Sequence, residues 1–344
     1  MRILNERDLA ALDAAEHHAA IFGRDDLQVI EVTGKDRVKY LQAMLTQDVT
    51  GLPENGVTQA CLCDAQGKIL AILTLLKEAE RIWMWTDFGT AESLRNHLDR
   101  YVIMDDVELE LRPELAAIAV VGPEMSFVIS DLTQPSVVAG TLTEATLAGH
   151  PVRTWEDTTG DHRPGGQPLP QRWFMLARDA MPDAVAALTA AGAAIGCHAA
   201  QDALRILAGT PLLGRDIEEG SLPLEVGLRD TVSYRKGCYV GQEAIAMMTY
   251  RGQLRRHLCW VAIEEGQPQP GWQLRTEDGK RAGKMGTAVQ MAANRTLGLA
   301  TIARKVYVPG GVLLAQDEAT GEQARLRVLA TTKPDVFPAN ERDA

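Results

Sequence analysis

The 344-residue chain lacks any run approaching the ~18 apolar residues of a membrane helix; its best stretch, residues 69–76, is of strand length. No apolar leader stands at the N-terminus, where Asn5, Glu6, Arg7 and Asp8 occur instead. Cysteine is scarce: five residues, an odd number thinly spread, which excludes the disulfide framework of short secreted scaffolds and predicts reduced thiols. Positive charge is in deficit, with 35 Lys and Arg against 46 Asp and Glu, a net −11. That balance argues against a wholesale binder of nucleic acid or anionic membrane and leaves room only for a local basic patch. G-x-x-x-x-G-K-[ST], a helix-opening G-x-G-x-x-G, H-E-x-x-H and G-x-S-x-G are all missing, which removes the phosphate-loop, dinucleotide, metalloprotease and serine-hydrolase readings. The seven histidines do not gather at metal-ligand spacing, and no metal site is expected. A cytoplasmic protein with a core large enough to need no staples is the reading these absences leave.

What is present reads as an α+β pattern followed by a β-rich end. The first 22 residues have the period of a helix, through Leu9, Leu12, Ala15 and Ala19. Residues 28–32 read as a strand, and a helix from about Asp36 carries Val38, Leu41, Met44 and Leu45. Residues 59–63, a turn at 64–67 and residues 68–76 form a predicted hairpin, with Gly67 suiting a bulged loop. If 59–63 is a strand, Cys61 and Cys63 share one face, and burial as small apolar groups is the favoured reading. Residues 81–86 add a strand, and Thr90 is positioned to cap the next helix. Further on, 117–121 and 126–129 look strand-like, 183–192 and 199–208 helical, and 160–170 an exposed Gly- and Pro-rich loop. Residues 264–271, with two prolines and two glycines, mark the clearest boundary. Strand-like segments at 257–263, 284–289, 297–303, 312–316 and 324–329 predict a small antiparallel barrel. The expected division is an α+β unit over 1–112, a second over 113–253 with exchange of segments between the two left open, a barrel over 254–332, and a frayed tail from 333.

One segment stands apart, Tyr234-Arg-Lys-Gly-Cys-Tyr-Val-Gly-Gln-Glu243. Gly237 and Gly241 give the backbone access to conformations closed to other residues. Arg235 and Lys236 place two cations beside Cys238, the only cysteine with a sequence argument for reactivity. Inert packing in a glycine-bounded turn is the alternative. From Arg235 to His257, five basic residues, Arg251 among them, face one acid, Glu243, a local reversal of charge that suits an anionic partner. The alternative for Arg255 and Arg256 is protection of a strand edge.

Lys236-Gly-Cys-Tyr-Val-Gly-Gln-Glu243 resembles the K-G-C-Y-x-G-Q-E motif of the YgfZ family of folate-binding proteins, relatives of the T-protein (aminomethyltransferase) of the glycine cleavage system. The likeness extends to residues 204–214, 222–228 and 250–252, to Val32-Thr-Gly-Lys-Asp-Arg37, to 101–107 and to 297–300. It implies two α+β subdomains and a C-terminal antiparallel barrel around a central folate-sized opening. It also implies a role in assembly or repair of iron–sulfur enzymes, including tRNA-modifying ones, with bound tetrahydrofolate. Carried over residue by residue, Cys238 becomes the functional thiol, with Lys236, Tyr239, Gln242 and Glu243 shaping its loop. Arg205 matches an arginine near the ligand, and Arg205 or Arg251 is expected to contact the folate. T-proteins carry an acid shortly after the first hairpin turn, whereas residues 67–73 here contain none. They also carry a glutamate for the pterin ring, for which no match is found near Gly165-Gly-Gln167. Both departures favour the YgfZ-type reading over its alternative, a folate-dependent aminomethyl transferase.

Overall fold

The computed structural model describes residues 1–86, 90–134, 140–157, 169–251, 254–292 and 295–333. The expected loop at 160–170 falls almost wholly outside them, as do Gly165 to Gln167 and the tail after Lys333.

Its first layer is a five-stranded antiparallel sheet made from residues 28–111. The hairpin of Val57–Cys63 and Ile69–Lys77 occurs as expected, with a bulge at Leu62/Cys63 and Gly67 at φ 77°. Burial on both faces explains why these strands do not alternate apolar and polar. Ala60 and Leu62 enter one core with Ala71, Leu73 and Leu75. Cys61 and Cys63 point the other way, into a cluster with Leu224, Tyr239 and Ile245. Helices α1 (Glu6–His17), α2 (Arg37–Met44) and α3 (Ala91–Asp99) come from the N-terminal third, and α2 and α3 cover the first of these faces. Thr90 precedes α3 but makes no capping hydrogen bond; its hydroxyl meets Thr86 Oγ1 at 3.0 Å instead.

A second sheet takes its strands from residues 115–177, 194–196 and 20–24. The helix expected over residues 1–22 therefore stops at His17. Ala20–Arg24 pairs antiparallel with Leu115–Val121, because Ala20, Ile21 and Phe22 are a consecutive apolar run buried on both faces. The strand expected at 126–129 is instead the short helix α4 (Met125–Ile129), which with α5 (Met181–Ala190) seals the outer face of this sheet. The inner faces of the two sheets pack on each other through Val29, Leu76, Trp83, Trp85, Ala117, Trp155 and Met175.

Helix α6 (His198–Ala208) ends as predicted at a left-handed glycine, Gly209 at φ 72°. It joins α1 to the third unit, a closed six-stranded antiparallel barrel. Five strands match the predicted ones; the sixth, Gln273–Arg275, is three residues long and has too little pattern to read. Residues 264–271 lie inside the barrel rather than at a boundary between units: Glu264 and Glu265 end the strand Arg256–Glu265, and Gly266, packed over Ala324, starts the connection to the sixth strand. Among the described residues no helix is long and apolar enough to cross a membrane.

Candidate functional site

Where the two sheets part, they leave a cavity of about 470 Å³, within the range of small-molecule sites. Gln59, Leu73, Thr74 and Trp85 line it from the first sheet, and Phe22, Ala119, Trp155, Glu156 and Trp173 from the second. Helix α6 and the loop after it close the third side. Its floor is aromatic. Trp155 and Trp173 are cross-strand partners stacked at 6.2 Å, and Trp85 crosses from the opposite sheet to meet both edge-on at 5.1 and 5.0 Å. The rim is charged, with Arg2, Arg24, His198, Arg205 and Arg215 alongside Asp26, Glu156, Asp157 and Asp202. A larger cleft of about 990 Å³ runs past Met1, Glu264, Glu265 and Leu329, but no aromatic side chain among the described residues lines it.

Arg205 reaches the cavity wall, and the protein already uses most of its donors. It gives hydrogen bonds to Asp202 at 2.6 Å, Asp216 at 2.7 Å, Thr210 O at 3.2 Å and Thr287 Oγ1 at 2.8 Å, leaving one of the five N–H groups of a guanidinium. Asp216, fully buried, also accepts from the backbone N–H of Leu212 and Thr287 and from the Thr287 hydroxyl. Burial pushes the Asp202 carboxyl up, but Arg205 and Arg215 outweigh it and hold the group below the usual carboxylate range. Glu156, absent from the residues singled out by sequence, ends a strand at the cavity wall and is paired with Arg172. An acid at a strand end beside Trp155 was the available signal for it.

The motif loop lies elsewhere. None of Lys236, Cys238, Tyr239, Gln242 and Glu243 lines the cavity; Cys238 is exposed at the tip of a loop docked on the first hairpin and on α2. Gln242 and Glu243 open helix α7 (Gln242–Arg251), Glu243 facing solvent. The side chain of Arg251 lies outside the described residues. Of the two glycines only Gly241 needs to be one. At φ 84° it packs against Gly67, and a Cβ would stand 2.5 Å from Asp64 O. Gly237 has an ordinary φ and open space around it.

Lys236 is also not the solvated neighbour of the thiol that its place in sequence suggests. Its side chain turns inward and is buried. Nζ donates to the carbonyls of Gln42, Leu45 (2.7 Å) and Gln47 (2.9 Å), using all three N–H groups of an ammonium. Gln42 O and Leu45 O lie at the C-terminal end of α2, where helical carbonyls lack partners and a cation is favoured, and Gln47 O belongs to the turn just after it. Val240 N–H takes the next one, Ala43 O, at 3.1 Å. The ammonium also sits 4.9 Å from the centre of the Tyr239 ring. Desolvation lowers the Lys236 pKa to about 8, with Asp48 opposing it.

No carboxylate from the first hairpin reaches the cavity among the described residues. Asp64 Oδ1 accepts from the backbone N–H of Gln66 and Lys68, both at 2.9 Å, which stabilises the turn. Asp105 and Asp106 pair with Lys39 and Lys35 on the outer surface.

A family profile described as the GCVT N-terminal domain matches residues 6–156. The chain is 28% identical over 308 residues to the tRNA-modifying protein YgfZ of Yersinia pestis (strain Pestoides F), covering 87% of this chain and 89% of that one. It is 27% identical over 316 residues to the protein of that name from Yersinia enterocolitica, covering 90% and 91%. Its fold is similar to the crystal structure of glycine cleavage system aminomethyltransferase T from Bartonella henselae, with a TM-score of 0.79 at 19% identity over 96% of this chain and 90% of that one.

Proposed function

We infer that the chain is a YgfZ-type member of the superfamily of aminomethyltransferase T and, from that premise, that it is a cytoplasmic tetrahydrofolate-binding accessory protein. In this reading it supports assembly or repair of iron–sulfur enzymes, including tRNA-modifying ones, through Cys238. The observation that carries the folate part is the cavity between the sheets. Three tryptophans offer faces and edges to a planar ring system, and Arg24, Arg205 and Arg215 at the rim offer partners to the carboxylates of a tail. Glu156 stands beside the tryptophans as an acceptor for ring N–H groups. Tetrahydrofolate supplies a carrier for one-carbon units; the protein's own residues bind, orient and shield it.

The placement of Cys238 supports a role towards a macromolecule. An exposed thiol on a loop outside the cavity is accessible to a protein surface. Folate-dependent aminomethyl transfer is the second reading. It needs an acid or base at the folate nitrogen, and positioned groups of that kind contribute about 10²–10⁴-fold. With Asp64 spent on its turn and Asp105 and Asp106 outside, the hairpin brings none to the cavity, which disfavours that reading.

Three experiments test the proposal. Tetrahydrofolate is expected to raise the melting temperature and to bind in calorimetry, and no binding at high micromolar ligand would refute the folate part. In a host lacking its own YgfZ, the wild-type chain is expected to restore iron–sulfur-dependent tRNA modification and Cys238→Ser to fail. Equal rescue by both would remove the thiol from the function. A reconstituted glycine cleavage assay is expected to show no useful turnover; turnover abolished by Asp64→Asn would promote the second reading.

A further inference from the structure

The segment that carries Cys238 begins in the cavity wall. Asp230 and Thr231 line the cavity, and the chain runs from them directly into the motif loop. Segment 42–47, the last turn of α2 and the residues just after it, is bonded to both ends of that run. Gln47 Nε2 donates to Asp230 O at 2.9 Å, the Thr46 hydroxyl to Thr231 O at 2.6 Å, and Ser233 N–H to Thr46 O at 3.0 Å. Lys236 then closes the far end on the carbonyls of Gln42, Leu45 and Gln47. Gln47 is thus held twice, by its side chain to the cavity wall and by its carbonyl to the thiol loop.

We propose that Lys236 is the positioning residue for Cys238: its ammonium clips the motif loop to the end of α2, and Gln47 ties that clip to the wall of the central cavity, so that cavity contents and thiol presentation share one piece of structure. This rests on Cys238 being the working thiol. The clip is built to open. A buried cation with carbonyl dipoles for partners and, among the described residues, no carboxylate in hydrogen-bond contact regains solvation on release, which offsets much of what its three hydrogen bonds contribute. A methionine in its place would remove both donors and charge, whereas an arginine would keep them.

The test compares the full-length wild type, Lys236→Met, Lys236→Arg and Gln47→Ala, each checked for native circular dichroism. Hydrogen exchange is followed over residues 233–241, and alkylation of Cys238 by iodoacetamide is measured against Cys197 as an internal reference. Lys236→Met is expected to speed loop exchange by about 5-fold or more, the equivalent of one net hydrogen bond, and to change the Cys238 rate with Cys197 unaltered. Lys236→Arg is expected to retain protection. Wild-type exchange and thiol rates in Lys236→Met would overturn the proposal, and if that variant does not fold, loss of protection in Lys236→Arg with retained melting temperature would do so.

A pH profile supplies a readout that mere structural filling would not move. The docked lysine loses its proton near pH 8 and a released one near 10.5, so protection of the loop should rise as pH passes from 8 towards 10. The groups facing it do not titrate in that window. Backbone and Gln42 hydrogen bonds hold Asp48 below the usual carboxylate range, burial pushes Cys61 up to about 12, and burial also raises Cys63, Tyr234 and Tyr239. The profile is taken in a Cys238→Ser background to remove that thiol. Lys236→Arg and Lys236→Met should be flat; a rise that persists in them would refute the assignment to Lys236. Tetrahydrofolate at 100-fold its Kd (about 2.7 kcal/mol of mass action) is expected to slow loop exchange in wild type and not in Gln47→Ala. Binding in calorimetry without that slowing would overturn the tie to the cavity. Absence of binding would instead refute the folate reading and leave Lys236 to be judged on its own variants.

Discussion

Asp216→Asn probes the join between the cavity wall and the barrel. The carboxylate is fully buried and accepts from four donors, Arg205 Nη1 at 2.7 Å, Leu212 N at 2.9 Å, Thr287 N at 2.7 Å and Thr287 Oγ1 at 2.6 Å. Asparagine has the same shape, but one of its two terminal atoms becomes a donor. Facing Arg205 and Leu212, that NH₂ would meet two N–H groups; facing Thr287, it meets one N–H and a hydroxyl that can turn to accept. The second orientation is the better, and it still orphans the Thr287 amide and removes the charge opposite Arg205. An unsatisfied buried amide costs about 1–3 kcal/mol, and breaking a buried ion pair about 3–5 kcal/mol. Asp202 continues to neutralise Arg205, which takes away part of the ion-pair loss and leaves about 3–5 kcal/mol for the two effects together. Unfolding entropy for a chain of this size is roughly 0.7 kcal/mol/K, so the melting temperature should fall by roughly 4–7 °C. Differential scanning calorimetry on the full chain measures it, with Thr287→Val as a companion that keeps the charge on Asp216 and removes the hydroxyl that donates to it and accepts from Arg205. A shift under about 1 °C in Asp216→Asn would refute the accounting, because it would mean that the buried network contributes nothing net.

Three further outcomes follow from the geometry. Trp173→Ala removes one wall of the aromatic floor, and its tetrahydrofolate affinity by calorimetry should fall by about 1–3 kcal/mol, with part of the ligand-induced quenching of tryptophan fluorescence lost. Brief iodoacetamide treatment at neutral pH should label Cys238 first. Cys197 should follow slowly, its thiol donating to the Asp8 carboxylate, and Cys61, Cys63 and Cys259 should be spared by burial; mass-spectrometric mapping reads the order. Because the Asp202 pKa is lowered on folding, its contribution to stability is complete above the unfolded value of 3.8 and is lost as pH falls through the folded one. Wild type should therefore lose stability faster than Asp202→Asn on acidification below about pH 4, as urea titrations at stepped pH would show.

What sequence reveals here depends on how local the cause is. The first hairpin, α6 with its terminal glycine and five barrel strands each carry their own period and punctuation, and each stands where the pattern puts it. Ala20–Arg24 was hidden because three buried residues in a row fit a helix end and a fully buried strand equally well; the partner that decides between them is at 115–121. The tryptophan floor had no signal at all. Trp85, Trp155 and Trp173 sit on three strands of two sheets, and only packing brings them within about 6 Å. In the motif, the eight residues announced a site, and yet the direction of Lys236 was not readable. A lysine two residues before a cysteine has room either beside the thiol or under the loop, and the unpaired carbonyls at the end of α2, almost 200 residues earlier, draw it under.

The strand Ala20–Arg24 also dictates an order of events. It belongs to the second sheet, while residues 28–111 build the first one entirely, so that unit is inserted between a strand and its partner. During synthesis at about 5–20 residues per second, the first sheet can close as soon as its own strands emerge, while residues 20–24 wait roughly 5–20 s for their partner. Prior closure of the first sheet then replaces a flexible loop of about ninety residues, whose ends would cost about 4 kcal/mol to join, by a folded body that holds them near each other. The gap between the sheets therefore takes shape only once the second sheet has closed beside the first, and a small molecule held there reports that residues 20–24 have met their partner.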